Sequence, residues 1–297
     1  MKIAPKNLSI VIPAFNEGDT ISSVVEQLKE AFPESCIIVV DDASRDDTYS
    51  LARKAGADLA LRHRKNSGYG ASIKTGVRAA STDYVATFDG DGQHRPDQLK
   101  RLLESLNDED IVIGARKSGK QQKRRVFLKS ILFGFCNLLA GEKIPDVNSG
   151  LRIFRKADFM EYEYMFPDSF SLSTTSTLAF LRDPEKKVKF VPIRIYTRGG
   201  GVSTVSALKH GYFTFLLILK LSVMFDPMRI FTPVALFLIL CGAIYGGIWT
   251  IATRNLPDGS IFLMLFGFII FVMGLLAEQI CSIRKFLHRM YRGHDNR

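Results

Sequence analysis

Phe88-Asp89-Gly90-Asp91-Gly92-Gln93-His94 continues the apolar run Tyr84 to Phe88, so two carboxylates leave the end of a short buried strand with a glycine between them. Strand alternation puts Asp89 and Asp91 on one side, about 7 Å apart along the chain, where they can hold a hard divalent cation against a diphosphate. Gly90 and Gly92 omit side chains where phosphate has to approach. Taken alone, an Asp-Gly pair reads equally as a plain turn, so the flanking sequence decides.

On either side, Leu8 to Pro13, Cys36 to Val40 and Asp110 to Gly114 are also Ile- and Val-rich runs of strand length. Helical segments separate them: Thr20 to Ala31 after a polar turn, Asp47 to Lys54 with Asp46 as its N-cap and Gly56 at its end, and Ala71 to Ala80. Phe127 to Leu139 reads as a further helix and Lys189 to Tyr196 as a late strand. This alternation predicts an α/β fold with a mainly parallel sheet and ligands at the carboxyl ends of its strands.

Val11-Ile12-Pro13-Ala14-Phe15-Asn16-Glu17 and Val40-Asp41-Asp42-Ala43-Ser44 end two of those strands and reach the edge from which Asp89 and Asp91 emerge. Carboxylates there suit a base and ribose better than phosphate, which they repel unless a cation intervenes. Asp41 and Asp42 also suit helix capping. Gly68-Tyr69-Gly70 is a turn or a place for backbone to approach phosphate, and no G-x-G-x-x-G follows the first strand, which argues against a dinucleotide-binding oxidoreductase.

Beyond Gly211 the character of the chain changes. Ile230 to Ala252 carries no charged residue, and about 23 helical residues cover roughly 35 Å, enough to cross a bilayer core. A second apolar run, Ile261 to Ala277, reaches spanning length when extended through Ile283. The link TRNLPDGSI from Thr253, with Pro257 and Gly259, predicts a tight turn and hence a transmembrane hairpin. Its tip carries Arg254 and Asp258, whereas the tail carries Arg284, Lys285, Arg289, Arg292 and Arg297, so the positive-inside bias puts tail and soluble domain in the cytoplasm. Lys209 to Phe225 is apolar but broken by Lys209, His210 and Lys220, as expected of an amphipathic helix lying in the interface.

Met1 to Lys6 leads into the first strand without a long apolar region, so no secretory signal is expected. Cys36, Cys136, Cys241 and Cys281 fall in apolar runs without paired spacing, which argues against a zinc site or a disulfide framework. The net charge of +10 has no basic-aromatic motif beside it, so anionic lipid rather than nucleic acid is the expected partner. The expected organisation is a cytoplasmic catalytic domain over residues 1–205, an interfacial helix over 206–228, a hairpin over 229–283 and a basic tail over 284–297.

VIPAFNE, VVDDAS, NSGYGAS, FDGDGQH, GARK, DVNSGLRIFRK and YTRGGGVS follow one another between Leu8 and Ser203. Together with the interfacial helix and hairpin, this order resembles the inverting GT-A glycosyltransferases of the dolichol-phosphate-mannose-synthase type. The resemblance implies transfer of a sugar from a UDP- or GDP-linked donor to a polyisoprenyl phosphate, dolichyl or undecaprenyl, at the cytoplasmic membrane face.

The resemblance also implies roles. Pro13, Phe15, Asn16, Glu17 and Asp42 would line the nucleoside site with Gly90, while Asp89, Asp91 and Gln93 would hold Mg²⁺ or Mn²⁺. Arg124 or Arg125 and Arg198 correspond to phosphate-binding arginines, and Asp146, Ser149, Gly150, Arg152 and Ser203 fall where sugar and acceptor meet. Asp91, Asp146 and Arg198 would be the catalytic groups.

Two departures, Ser203-Thr204 in place of a Ser-Lys pair and the hydroxyl-rich Phe170 to Thr177 in place of an acidic residue, leave the donor sugar open. A processive polysaccharide synthase is disfavoured, since Gln121 to Arg125 reads QQKRR without the expected Trp and the only Trp is Trp249. Transfer to another glycolipid acceptor and an inactive nucleotide-sugar-binding scaffold remain alternatives, and a homo-oligomer is compatible with all of them.

Overall fold

The computed structural model describes residues 4–116, 144–146, 149–194, 223 and 226–295, with side chains through residue 283. Two compact units, Met1–Thr214 and Phe215–Arg297, divide the chain.

Among the described residues of the first unit, β1 (Leu8–Ala14), β2 (Cys36–Asp41), β3 (Leu59–Arg62), β4 (Tyr84–Thr87), β5 (Ile111–Arg116), β6 (Arg152–Arg155) and β7 (Val188–Ile193) form one sheet in the order β3-β2-β1-β4-β6-β5-β7. β1, β2, β3 and β4 pair in parallel, as the strand–helix alternation predicts. The short β6 lies between β4 and β5 and is antiparallel to both. Its sequence, Arg-Ile-Phe-Arg, hides the strand, because a buried arginine breaks the apolar pattern by which a central strand is read. Neither β3 nor β6 is expected from the sequence.

The parallel strands read as continuous apolar runs because helices cover both faces. Ile10 and Ile12 pack with Ile21, Val25 and Leu28 of the helix Ile21–Ala31, and with Leu99 and Leu102 of the helix Pro96–Ser105, in one buried cluster. On β1, the register with β4 ends at Val11↔Thr87, so Pro13 lies past the last β4 partner and its missing N–H interrupts no bond on that side. The helix Thr48–Lys54 starts one residue later than expected, with Asp47 rather than Asp46 at its N-cap, although the Asp46 carboxylate accepts the Thr48 amide at 3.1 Å.

In the second unit, helices Met228–Thr253 and Asp258–Asp295 form a hairpin whose apolar portions, Met228–Thr253 and Asp258–Ile283, are each long enough to cross a membrane. Only 17% of each apolar window is buried, unlike a soluble core helix. The chain turns at Arg254, whose φ of 57° forms a left-handed cap. Gly259 lies inside the second helix rather than in the turn, which is shorter than the sequence implies. The helices approach closely along small residues: a Cβ on Gly246 would lie 2.2 Å from Ser260 Oγ, which itself donates to Gly242 O at 2.7 Å. The second helix continues beyond the apolar portion into the basic tail. The expected helix over 127–139 lies outside the described residues, as does nearly all of the expected interfacial helix.

Candidate active site at the Asp89–Asp91 turn

Strand β4 stops at Thr87, and Asp89 to Asp91 form a turn rather than a prolonged strand. Two hydrogen bonds and one glycine conformation fix it. Thr20 Oγ1 donates to Gly90 O at 2.8 Å, tying the turn to the helix that follows β1. The Gln93 amide donates to Asp91 Oδ1 at 3.0 Å and orients that carboxylate. Gly92 takes φ +72°, a conformation suited to glycine.

Asp89 sits deeper. Tyr69 Oη donates to its Oδ1 at 3.2 Å, and His94 Nε2 lies 3.5 Å from its Oδ2. Burial alone would raise the Asp89 pKa, but hydrogen bonds and charge from His94, with Tyr69 and Arg116, hold it below the ordinary carboxylate value. Burial would likewise lower His94, and the bond and charge of Asp89 raise it instead. Tyr69 is pushed well up by burial and by Asp89, so its hydroxyl remains a proton donor. Sequence reading passed over Tyr69 and His94; both belong to motifs, YG and QH, that the eye assigns to turns.

Gly150 faces Asp89 from the other side, and a Cβ there would lie 2.4 Å from Asp89 Oδ2. Thr87 Oγ1 donates to Gly150 O, and Arg152 Nη2 to Ser149 O, so the segment beside Asp89 is fixed from both ends. Arg152 was expected to meet phosphate. It is 1% exposed, and its Nη1 donates to Ser173 O at 3.2 Å and to Ser176 Oγ at 2.7 Å, which makes it an internal brace.

The strand-end residues divide in the same way. Phe15 is exposed and Glu17 half-buried, each open to the edge. Asn16 serves the scaffold: at φ 54° its amide donates to Ser44 Oγ at 2.9 Å, and its Oδ1 accepts the Arg45 amide at 2.9 Å. Asp42 is 4% exposed, with Oδ1 accepting from Ser67 N at 2.8 Å and Oδ2 from Gly68 N at 2.7 Å, while His63 Nδ1 lies 2.7 Å from Oδ1. It therefore builds the glycine turn that carries Tyr69. Asp146 is likewise engaged, by Arg116 at 2.5 Å. Arg124, Arg125, Arg198 and Ser203 lie outside the described residues.

A cavity of about 640 Å³ adjoins the turn, lined by Thr20, Gly92, His94 and Arg95 among others. Pro13, Phe15 and Asp42 do not line it, so it lies on the side of the helix Ile21–Ala31 rather than over the expected nucleoside residues.

Among the described residues no three His, Cys, Asp or Glu side chains gather to form a metal cage. Asp89 and Asp91 nonetheless fit a divalent cation: they are hard oxygen donors on one turn, and Mg²⁺-type ions commonly take their remaining ligands from substrate phosphate and water.

The model of glycosyl transferase family 2 matches residues 9–163, more than half the chain, and the GtrB C-terminal hairpin matches residues 226–283. The chain belongs to glycosyl transferase family 2. A family relative, the UDP-N-acetylglucosamine–dolichyl-phosphate N-acetylglucosaminyltransferase of Methanococcus voltae, is 32% identical over 52% of this chain and 72% of that protein. The undecaprenyl-phosphate mannosyltransferase of Micrococcus luteus is 32% identical over 49% of this chain and 65% of that protein. Glucosyl-3-phosphoglycerate synthase from Mycobacterium tuberculosis, solved with Mn²⁺, UDP-glucose and phosphoglyceric acid, superposes with a TM-score of 0.57 at 18% identity, covering 73% of this chain and 79% of that one. The family 2 unit thus has the GT-A fold, and the two apolar C-terminal helices are its hairpin.

Proposed function

We propose that the protein transfers a sugar, with inversion, from a nucleotide-sugar to the phosphate of a polyisoprenyl lipid at the cytoplasmic face of a membrane. The observation that carries this reading is one chain joining an Asp89–Asp91 turn, fixed at the edge where β1 and β2 end, to a two-helix apolar hairpin. Relatives named for dolichyl- and undecaprenyl-phosphate support the acceptor class.

In the reaction, a lipid-phosphate oxygen forms a bond to the anomeric carbon while the bond from that carbon to the donor diphosphate breaks. The nucleoside diphosphate leaves with the electron pair. A divalent cation, Mg²⁺ or Mn²⁺, held by Asp89 and Asp91 with Gln93 alongside, would supply the positive charge that offsets the leaving group. The exposure of Phe15 and the partial exposure of Glu17 at the strand edge support a role for both at the nucleoside. Tyr69 and His94 keep Asp89 ionised and aimed, so the chain's contribution is positioning and electrostatic preorganisation. A phosphate monoester, with its second pKa near 6, is largely dianionic at neutral pH and requires no strong general base. The positive-inside bias, with Arg284, Lys285, Arg289, Arg292 and Arg297 in the tail against one cation and one anion at the hairpin tip, supports a cytoplasmic tail and catalytic unit.

The test is to incubate the purified protein in detergent with Mg²⁺, a short polyprenyl phosphate and UDP-glucose, UDP-N-acetylglucosamine or GDP-mannose in turn. Formation of a glycosyl-phosphoryl lipid from one donor supports the proposal. Binding of every nucleotide-sugar without transfer would favour a scaffold.

A further inference from the structure

Phe170 is 65% exposed, yet it is not a loose surface side chain. Its ring stacks on Tyr69 with centroids 5.2 Å apart and planes 15° from parallel. Tyr69 in turn donates to Asp89, so the exposed face of Phe170 lies one aromatic ring away from the carboxylate of the DGD turn.

The loop that carries Phe170 is locked in place. A Cβ on Gly68 would lie 2.3 Å from Asp168 O, and one on Gly70 would lie 2.2 Å from Pro167 O, so the loop packs directly on the glycine turn. Ala71 N donates to Asp168 O at 3.2 Å, and Lys74 Nζ bonds Asp168 Oδ1 at 2.7 Å. Below the loop, Arg152 reaches Ser173 O and Ser176 Oγ. Hydroxyls flank the ring: Ser169 is exposed, Ser171 is half-buried, and their oxygens are 3.3 Å apart. The only carboxylate in the loop, Asp168, is answered by Lys74. A rigid aromatic face bordered by neutral hydroxyls is suited to a sugar ring, whose C–H face packs on the aromatic while its hydroxyls find hydrogen-bond partners.

We propose that Phe170, backed by Tyr69, is the platform on which the hexosyl group of the donor stacks, and that it selects for an uncharged hexose with an apolar face. This rests on the proposed transfer reaction. Gly68 and Gly70 are then needed for the close approach of the 167–171 loop, and Ser169 and Ser171 form the sugar-facing rim, whereas Ser173 to Thr177 are buried in the helix that follows.

The experiment compares wild type, Phe170→Ala and Phe170→Trp in detergent with Mg²⁺ and a short polyprenyl phosphate. KM is measured for whichever of UDP-glucose, UDP-N-acetylglucosamine and GDP-mannose the wild type uses, and Kd for the matching nucleoside diphosphate, UDP or GDP. Phe170→Ala should raise the donor KM about tenfold and leave nucleoside diphosphate Kd within about twofold, with Phe170→Trp restoring most of the loss. An unchanged donor KM in Phe170→Ala overturns the proposal. An equal loss of nucleoside diphosphate affinity also overturns it, because the side chain would then support the fold, and so does a rise confined to the polyprenyl phosphate KM. A wild type that neither binds nor uses any of the three donors defeats the transfer reaction itself, and this proposal with it.

Discussion

Arg116 and Asp146 form a two-point ion pair, with Nε 2.5 Å from Oδ2 and Nη2 3.0 Å from Oδ1, and the Arg116 amide adds a bond of 3.2 Å to Oδ2. Arg116 opens a run that continues through Lys129 without an acidic residue, a pattern that reads as a face for lipid phosphate. The fold supplies the missing acid from 30 residues away. The Asp146 hydrogen bond and charge, against a smaller cost of burial, raise the Arg116 pKa further.

Asp146 is 5% exposed, so Arg116→Ala takes the guanidinium away from a buried carboxylate and leaves it the bond from the residue 116 amide. We expect a loss of about 2–3 kcal/mol, at the low side for such pairs because Arg116 is itself partly open. Combining Arg116→Ala with Asp146→Ala should cost less than the sum of the single changes, by about 1 kcal/mol or more. Denaturation of the detergent-solubilised variants measures this. Strict additivity would show that the pair contributes nothing.

Gly150→Ala places a methyl group 2.4 Å from Asp89 Oδ2. Backbone is fixed there by Thr87 and Arg152, so Asp89 rather than the main chain has to give way. Sugar transfer should fall by at least about a hundredfold, while circular dichroism stays that of the wild type. Retained activity would show that the Asp89 position is not critical.

These two pairs show what the sequence could convey. Runs such as Ile10-Val11-Ile12 and Ile37 to Val40 announce buried parallel strands, since no other short element is apolar throughout. The 228–253 helix is legible because lipid demands an unbroken apolar length. β6 is not, because Arg152 is buried by partners 21 and 24 residues away, and arginine is read as a surface or phosphate-binding group. Asp42 was expected at the ligand for the same reason: strand-end carboxylates look functional, and only the fold reveals that Ser67 and Gly68 amides already occupy this one. Phe170 is legible in the sequence only as the start of a hydroxyl-rich segment, because its stacking partner Tyr69 is about a hundred residues distant.

Glu109 gives a pH-dependent contribution to stability. Burial would raise its pKa, but Lys189 Nζ at 2.7 Å and the Asn107 amide at 2.7 Å outweigh this and lower it to about 2. A carboxylate depressed on folding stabilises above its unfolded pKa of about 4.3 and loses that contribution as pH falls toward 2. After allowance for solvent around Lys189, Glu109→Gln should cost about 1–2 kcal/mol at pH 7. The gap in Tm between variant and wild type should narrow from pH 4.5 downward. A gap unchanged at pH 3 would refute the assignment.

Arg124 and Arg125 belong to the rest of that basic run, which the sequence points toward lipid phosphate. Replacing both by Ala should raise the polyprenyl phosphate KM about tenfold or more and leave the nucleotide-sugar KM nearly unchanged. Steady-state kinetics with each substrate varied separately separates the two effects, and equal changes in both would remove the acceptor role.

The central claim is that Asp89 and Asp91 carry a divalent cation bound to the donor diphosphate. Asp91→Asn keeps the shape of the side chain and an acceptor oxygen for the Gln93 amide, but removes the charge. The direct measurement is the rate of glycosyl-phosphoryl lipid formation by Asp91→Asn and by wild type, each with Mg²⁺ and with excess chelator. The account predicts a wild-type rate that chelator abolishes and Mg²⁺ or Mn²⁺ restores, and an Asp91→Asn rate lower by at least about a hundredfold in a folded protein. Full wild-type turnover in excess chelator, or an Asp91→Asn variant as fast as wild type, would contradict it.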